Sequence, residues 1–119
     1  MWTYSQGTGV LTDPNGQKVA TGYSGKGIGK NNCSMQHIPS VGPIPQGLWI
    51  IGVPRNSVNV GPFAMDLTPV PLTETFGRSA LMIHGDNRTG TASEGCIILP
   101  RRVRHIIWDS GERKLKVVP

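Results

Sequence analysis

Apolar and polar residues alternate along Trp2-Thr3-Tyr4-Ser5, the period-two pattern of a strand with one buried face. Val10-Leu11 continues the pattern beyond the Gly7/Gly9 pair. Asp13-Pro14-Asn15-Gly16 then supplies a strong turn, because Pro presets φ and Asn-Gly accepts a positive φ. Lys18 to Tyr23 returns as the second arm of a hairpin. From residue 24 to 47 the periodicity disappears. Ser24 to Asn32 reads as loop and Gly42-Pro43-Ile44-Pro45-Gln46-Gly47 as a rigid turn segment, and a loop this long inside a compact domain is commonly functional. Leu48 to Val53 and Phe63 to Leu67 read as buried strands, and Thr68 to Gly77, with Pro69 and Pro71, as a connecting loop. Ala80-Leu81-Met82-Ile83 reads as a central strand ending at His84, followed by a polar, irregular stretch from Gly85 to Glu94 and a second apolar run, Ile97-Ile98-Leu99. One helix follows, with Pro100 in its first turn, Val103, Ile106 and Ile107 as its apolar face, and Gly111 as its C-terminal cap. Arg101, Arg102, Arg104 and His105 fall on the other positions. Lys114 to Val118 alternates again and predicts a last strand.

Composition agrees with many short strands. The 119 residues fit one domain, taken as 1–119, and Gly and Pro together supply 26 of them without a period, which excludes collagen and disfavours a long helical bundle. Only 16% of residues are charged, too few for a disordered charged tail. The net charge of +5 is uneven: residues 1–100 carry +1 and residues 101–119 carry +4. A basic C-terminal segment suits an anionic polymer or surface. No aromatic stacking series accompanies its arginines, which argues against nucleic acid as the partner. No apolar run approaches the ~18 residues of a membrane span, and the N-terminus shows neither the basic nor the apolar region of a secretory signal.

The segment Ile83-His84-Gly85-Asp86 … Ser93-Glu94-Gly95-Cys96-Ile97 carries the ingredients of thiol catalysis. A thiolate is the nucleophile, and a free Cys is mostly protonated near neutrality. An adjacent imidazole takes the thiol proton and later gives it to a leaving amine. Gly95 allows a tight turn that aims the amides of Gly95 and Cys96 at a developing oxyanion. Ser93 or Glu94 is placed to hold the imidazole or shape the loop. Spacing alone leaves other readings open. Cys33, His37, His84 and Cys96 are four ligand types for a zinc ion, although neither half shows a two-Cys knuckle. Cys33 and Cys96 are also the only cysteines, so a disulfide between them is a further alternative.

At these same residues the sequence resembles the YkuD-type L,D-transpeptidases, and more closely the L,D-transpeptidase-like effectors of bacterial type VI secretion. The shared pattern is His84-Gly85 followed after a loop by Ser93-x-Gly95-Cys96. Further pieces are Trp2-x-Tyr4, Gly22-Tyr23-Ser24-Gly25, Gly29-Lys30-Asn31-Asn32, Gly42-Pro43-Ile44-Pro45-x-Gly47, Gly61-Pro62 and Gly77-Arg78-Ser79, which spread the likeness over nearly the whole chain. The resemblance implies a mainly β sandwich or barrel with one C-terminal helix. It implies Cys96 as nucleophile, His84 as base and acid, and Ser93 and Gly95 as parts of the catalytic turn. The implied reaction cleaves peptidoglycan stems between the diamino acid at position three and the following D-Ala, with water, a D-amino acid or another stem as acceptor. No cofactor is implied. An immunity protein, a secretion apparatus and the target-cell periplasm are.

Two positions depart from the wider pattern. Glu94 stands where many relatives have a second His, and Ile98 where they have Arg or Asn. The substrate-carboxylate role is therefore open. Arg78 and Arg101 are the candidates, since a guanidinium grips a carboxylate bidentately. Tyr23, Gly85, Asp86 and Glu94 complete the expected substrate contacts. The change at Ile98 also keeps alive an inactive, wall-binding relative.

Overall fold

The computed structural model describes residues 1–119. Its strands are β1 (Trp2–Ser5), β2 (Val10–Thr12), β3 (Lys18–Thr21), β4 (Tyr23–Ser24), β5 (Gly47–Ile51), β6 (Arg55–Ser57), β7 (Gly61–Pro69), β8 (Met82–His84), β9 (Ile97–Ile98) and β10 (Lys114–Val118). One helix, α1 (Arg101–Asp109), and two short 3-10 turns at Gly27–Gly29 and Cys33–Met35 complete the regular structure. The protein is mainly β with a single helix near its C-terminus, as the turn-rich composition predicts.

The strands form one hydrogen-bonded path, β3-β2-β1-β10-β5-β7-β8-β9-β4, with β6 added to β7. The two ends of this path are neighbours in sequence, since only Gly22 separates β3 from β4. The path therefore curls until its ends come together at Gly22. Glycine builds the seam. The Gly22 amide donates to the Gly9 carbonyl at 2.8 Å. A Cβ on Gly22 would collide with the Ile98 carbonyl oxygen, and one on Gly9, with φ +72°, would collide with the Gly22 carbonyl oxygen. The expected hairpin arm from Lys18 to Tyr23 is thus cut at Gly22, and Tyr23–Ser24 crosses over to pair with Ile98 and Ile97.

β7 is the strand that joins the two halves. Its last residues pair with β5, while Met65 and Asp66 pair with Ile83 and Met82 of β8. Beyond β8 lies β9, in parallel register, with Ile83 opposite Ile97 and His84 opposite Ile98. Alternation then sorts the side chains. Met65, Leu67, Ile83, Ile97 and Leu99 enter the hydrophobic core with Trp2, Tyr4 and Val103. Asp66, Met82, His84, Cys96 and Ile98 occupy the opposite face. The chemistry is carried by the back of a core sheet.

The structure departs from the sequence reading at several points. Leu48 and Ile50 are exposed, because β5 buries only Trp49 and Ile51. β6 was not legible as a strand: Arg55-Asn56-Ser57 is polar and pairs only at an edge. In α1 the buried positions are Val103, Arg104 and Ile107, whereas Ile106 is 43% exposed. Arg104 buries its stem and donates from Nη1 to the carbonyls of Pro62 (2.8 Å) and Phe63 (3.1 Å). Pro100 stands just before the helix in extended conformation, as its N-cap, rather than inside its first turn. Two of the basic C-terminal residues are thereby engaged within the fold. Arg104 turns inward, and Arg113 stacks 3.3 Å above the Trp108 ring.

Trp2 and Trp49 satisfy their buried indole N–H groups, on Ser110 Oγ and the Pro45 carbonyl, each at 3.1 Å. Tyr4 does not: its hydroxyl is fully buried without a partner, and burial pushes the phenol well above its ordinary pKa. An unpaired buried hydroxyl costs about 1–3 kcal/mol. Tyr4→Phe is accordingly expected to raise the melting temperature by a few degrees, read by thermal unfolding followed by circular dichroism. A lower melting temperature would show that the hydroxyl contributes to the core.

Candidate active site

The parallel register of β8 and β9 brings the sequence-predicted pair together. Cys96 lies one residue before β9, beside Met82, and therefore on the same face as His84. Both side chains line one cleft of ≈ 520 Å³, with Arg78, Thr91, Ala92 and Glu94 among its walls. Cys96 also lines a second cleft, of ≈ 390 Å³, which contains Arg55 and Asp66. The thiol is thus open to two adjoining hollows.

His84 is 2% exposed, and its Nδ1 lies 2.8 Å from the Gly85 carbonyl oxygen. A carbonyl only accepts, so this bond puts the proton on Nδ1 and leaves Nε2 with its lone pair free. Burial pulls the His84 pKa below its ordinary value. The Gly85 carbonyl and Asp86 oppose that shift, and Arg104 adds to it. The imidazole is neutral and basic at physiological pH. Burial likewise pushes the Cys96 thiol up, against the pull of the Met82 N–H and Arg78. The resting pair is therefore a thiol and a neutral imidazole.

The turn that presents Cys96 is held by two buried serines. Ser93 Oγ donates to the Cys96 carbonyl at 2.6 Å and accepts from the amides of Gly25 (2.8 Å) and Gly95 (3.1 Å). Ser24 Oγ donates to the Gly95 carbonyl and accepts from the Ile44 amide, each at 2.9 Å. Ser93 thus shapes the nucleophile turn and does not hold the imidazole. The Gly95 amide, bonded to Ser93, is not available to an oxyanion. The Cys96 amide meets no protein acceptor and is the one donor of the expected pair that stays free.

Arg78 is 8% exposed and is not the expected substrate fork. Its Nη1 donates to the carbonyls of Gln36 (2.7 Å) and Pro43 (2.6 Å), and its Nη2 to those of Gly42 (2.9 Å) and Glu94 (3.2 Å). Its four terminal N–H groups are spent on backbone, leaving no parallel pair for a carboxylate. Arg78 instead pins the long loop to the nucleophile turn and contributes positive charge near Cys96. Gly95 is required for this. Its φ is +129°, and a Cβ there would collide with Arg78 Nη2.

The other expected substrate contacts divide. Glu94 is exposed at the Cys96 cleft, with Lys26 Nζ 4.0 Å from its carboxylate. Tyr23, Gly85, Asp86 and Arg101 line a different cavity, of ≈ 620 Å³. There, Tyr23 Oη donates to Asp86 Oδ1 at 2.6 Å and accepts from the Ala92 amide at 2.9 Å. Burial and the Asp86 carboxylate push the phenol up to about 12, so it stays a donor. Asp86 therefore braces the cleft wall and does not orient His84. Gly85 supplies its carbonyl to His84, and its bare Cα admits Arg104, whose Nη2 lies 2.8 Å from where a Cβ would sit.

Both cysteines are free thiols. No three His, Cys, Asp or Glu side chains lie close enough to hold a metal ion, which sets aside the zinc arrangement. The residues that sequence reasoning missed are Ser24, Arg55, Asp66 and Arg104. The Arg55–Asp66 pair gave no signal, because β6 is a polar edge strand.

A small mainly β domain with a Cys/His cleft on the back of its core sheet is the class these features define. The chain matches the Tlde1 domain over residues 18–118, and it belongs to that family, one of type VI secretion effectors. Searches of curated proteins and of solved structures return no match.

The Arg78 arrangement predicts its own sensitivity. Arg78→Lys keeps the charge but offers three donors in the wrong geometry, and Gly95→Ala forces the collision described above. Each is expected to lower stability by about 2–4 kcal/mol, measured by urea unfolding. A loss under about 0.5 kcal/mol in both would show that the fork is dispensable.

Proposed function

We propose that this protein is a cysteine acyl-transfer enzyme that cleaves the diamino acid–D-Ala bond of peptidoglycan tetrapeptide stems. It would release D-Ala to water or exchange it for another D-amino acid. The observation that carries the reading is the shared cleft of Cys96 and His84, with Nδ1 of His84 tied to the Gly85 carbonyl so that Nε2 is the base. Membership of the Tlde1 family supports the effector role. On this reading the protein is an antibacterial toxin carried by the secretion apparatus into the target-cell periplasm. The producing cell is protected by an immunity protein that covers the cleft.

The chemistry follows from the charge states. His84 Nε2 takes the Cys96 proton as the sulfur attacks the stem carbonyl. The Cys96 amide is the backbone donor near the developing oxyanion. When the C–N bond breaks, the imidazolium returns the proton to the leaving amine, and a thioester remains on Cys96. Water or an incoming amine, deprotonated by the same Nε2, attacks the thioester and restores the thiol. Glu94, exposed at the rim, suits the free side-chain amine of the diamino acid.

Mass spectrometry of a purified disaccharide-tetrapeptide, with and without an added D-amino acid, tests the reading. Loss or exchange of the terminal D-Ala is expected. Cys96→Ala and His84→Gln should each lower the rate by about a hundredfold or more. No change to stems of several lengths by folded, reduced protein would leave a wall-binding domain without turnover.

The pKa directions make a separate prediction. Protonating His84 removes the base, so the rate should fall on acidification only below the ordinary histidine pKa of 6.5. Alkylation of Cys96 by iodoacetamide should rise with pH to a midpoint above the ordinary thiol value of 9.0. Fast alkylation persisting to about pH 6, far below a free thiol's pKa, would instead show a thiolate–imidazolium pair at rest.

A further inference from the structure

The second cleft at Cys96 contains a guanidinium with an unused face. Arg55, on β6 opposite Ala64, reaches diagonally to Asp66 on β7. Its Nε donates to Asp66 Oδ2 at 2.9 Å and its Nη2 to Oδ1 at 3.1 Å. That pairing uses the side of the guanidinium. The end-on fork, Nη1 and the remaining Nη2 proton, has no partner, and the side chain is half-exposed. Asp66 lies opposite Met82, and Met82 lies beside Cys96, so Asp66 faces the nucleophile across β8, two strands away on the same face. Of the arginines near Cys96, Arg78 is spent on carbonyls, whereas Arg55 has donors to spare.

We infer that Arg55, held by Asp66, binds the free α-carboxylate of the residue on the leaving side of the scissile bond, and of the amino acid that replaces it. The inference deepens the proposed stem-cleaving activity and rests on it. The smaller cleft, ≈ 390 Å³, suits one terminal amino acid, and the larger, ≈ 520 Å³, the acyl portion of the stem. During cleavage the amide C–N bond breaks, the acyl carbon stays on Cys96 sulfur, and the amine leaves with the proton from His84. The freed amine takes a second proton from solvent, and the amino acid is then a zwitterion, with its carboxylate on Arg55 and its ammonium beside Asp66. In exchange the steps reverse. The incoming ammonium loses one proton to solvent, the amine gives a second to His84 as the C–N bond forms, and the C–S bond breaks with His84 returning that proton to the sulfur. An end-on carboxylate requirement makes the enzyme act at chain ends and not within crosslinked stems. Arg55 is thereby a substrate-binding residue and Asp66 a positioning residue.

The test compares a tetrapeptide stem bearing a free C-terminal carboxylate with the same stem as its C-terminal amide. The native protein is expected to favour the acid by about tenfold or more in kcat/KM, the scale of a bidentate charged contact. Arg55→Gln should raise KM for the acid by about tenfold, leave kcat within about twofold, and erase the preference. Asp66→Asn should raise KM less, with Asp66→Glu restoring it. Because the ion pair is half-exposed, these variants should fold with unchanged melting temperatures. Equal handling of acid and amide by the native protein, or a preference that survives Arg55→Gln, would overturn the inference while the acyl-transfer reading stands. Binding of both peptides to Cys96→Ala protein separates the two ideas. Acid-selective binding that Arg55→Gln abolishes, without turnover by the native protein, would uphold the carboxylate site and remove the acyl-transfer reading. Absence of binding by either peptide would remove both.

Discussion

A buried guanidinium holds the Cys96 turn in place. Arg78 is a cation with almost no access to water, and desolvating it is tolerable only because four carbonyl oxygens converge on its terminal nitrogens. Those carbonyls come from two places far apart in sequence: residues 36–43 of the long loop and Glu94 beside the nucleophile. The single side chain therefore couples the loop to the site. Gly95 follows from the same contact, since any side chain there would occupy the guanidinium's position. Ser24 and Ser93 close the remaining backbone bonds around it, one to the Gly95 carbonyl, the other to the Cys96 carbonyl. Flexible segments become a rigid frame because their polar groups have no water to turn to.

The sheet supplies the second constraint. A three-strand segment, β7-β8-β9, is buried on one face by the hydrophobic core and on the other by the site. Strand alternation makes this division automatic: every second residue is committed to packing, and the intervening ones are free to carry chemistry. The parallel pairing of β8 and β9 sets Cys96 and His84 side by side although a long irregular connection separates them in sequence. That connection is stiffened locally by the Tyr23–Asp86 bond and by Asn87, which accepts from the Thr89 and Thr91 amides. A one-residue slip in register would turn His84 into the core and Ile83 into the cleft.

Much of this is legible in the amino-acid sequence, and the failures have physical causes. Strands with alternating or continuous apolar residues, such as β1, β8 and β10, announce themselves. β6 does not, because an edge strand of Arg, Asn and Ser carries no apolar signal, and with it the Arg55–Asp66 pair is hidden. The break at Gly22 is invisible because Lys18 to Tyr23 looks like one arm; only the meeting of the path's two ends requires the chain to change partners there. Cys96 and His84 are recognisable from residue type and neighbouring glycine. The roles of Arg78 and Arg104 are not, since a buried arginine satisfied by carbonyls and an exposed one awaiting a ligand have the same letter. Ile106 and Arg104 exchange their expected positions for the same reason: helical periodicity says which residues share a face, not which carbonyls are waiting opposite it.

The charge arrangement then determines how the site works. Arginine near a cysteine ordinarily favours the thiolate. Here Arg78 exerts that pull, but burial of the sulfur outweighs it, and Glu94 and Asp66 add negative potential. His84 is held neutral by burial, with Arg104 packed against Gly85 discouraging its protonation. Both partners thus favour their uncharged forms. A thiol held in that form is less open to oxidation and alkylation than a thiolate. The bond from Nδ1 to the Gly85 carbonyl fixes the orientation of the imidazole in that neutral form. The same logic explains why Asp86 is turned away to Tyr23: a carboxylate against the imidazole would raise its pKa and favour the ion pair that the rest of the site avoids.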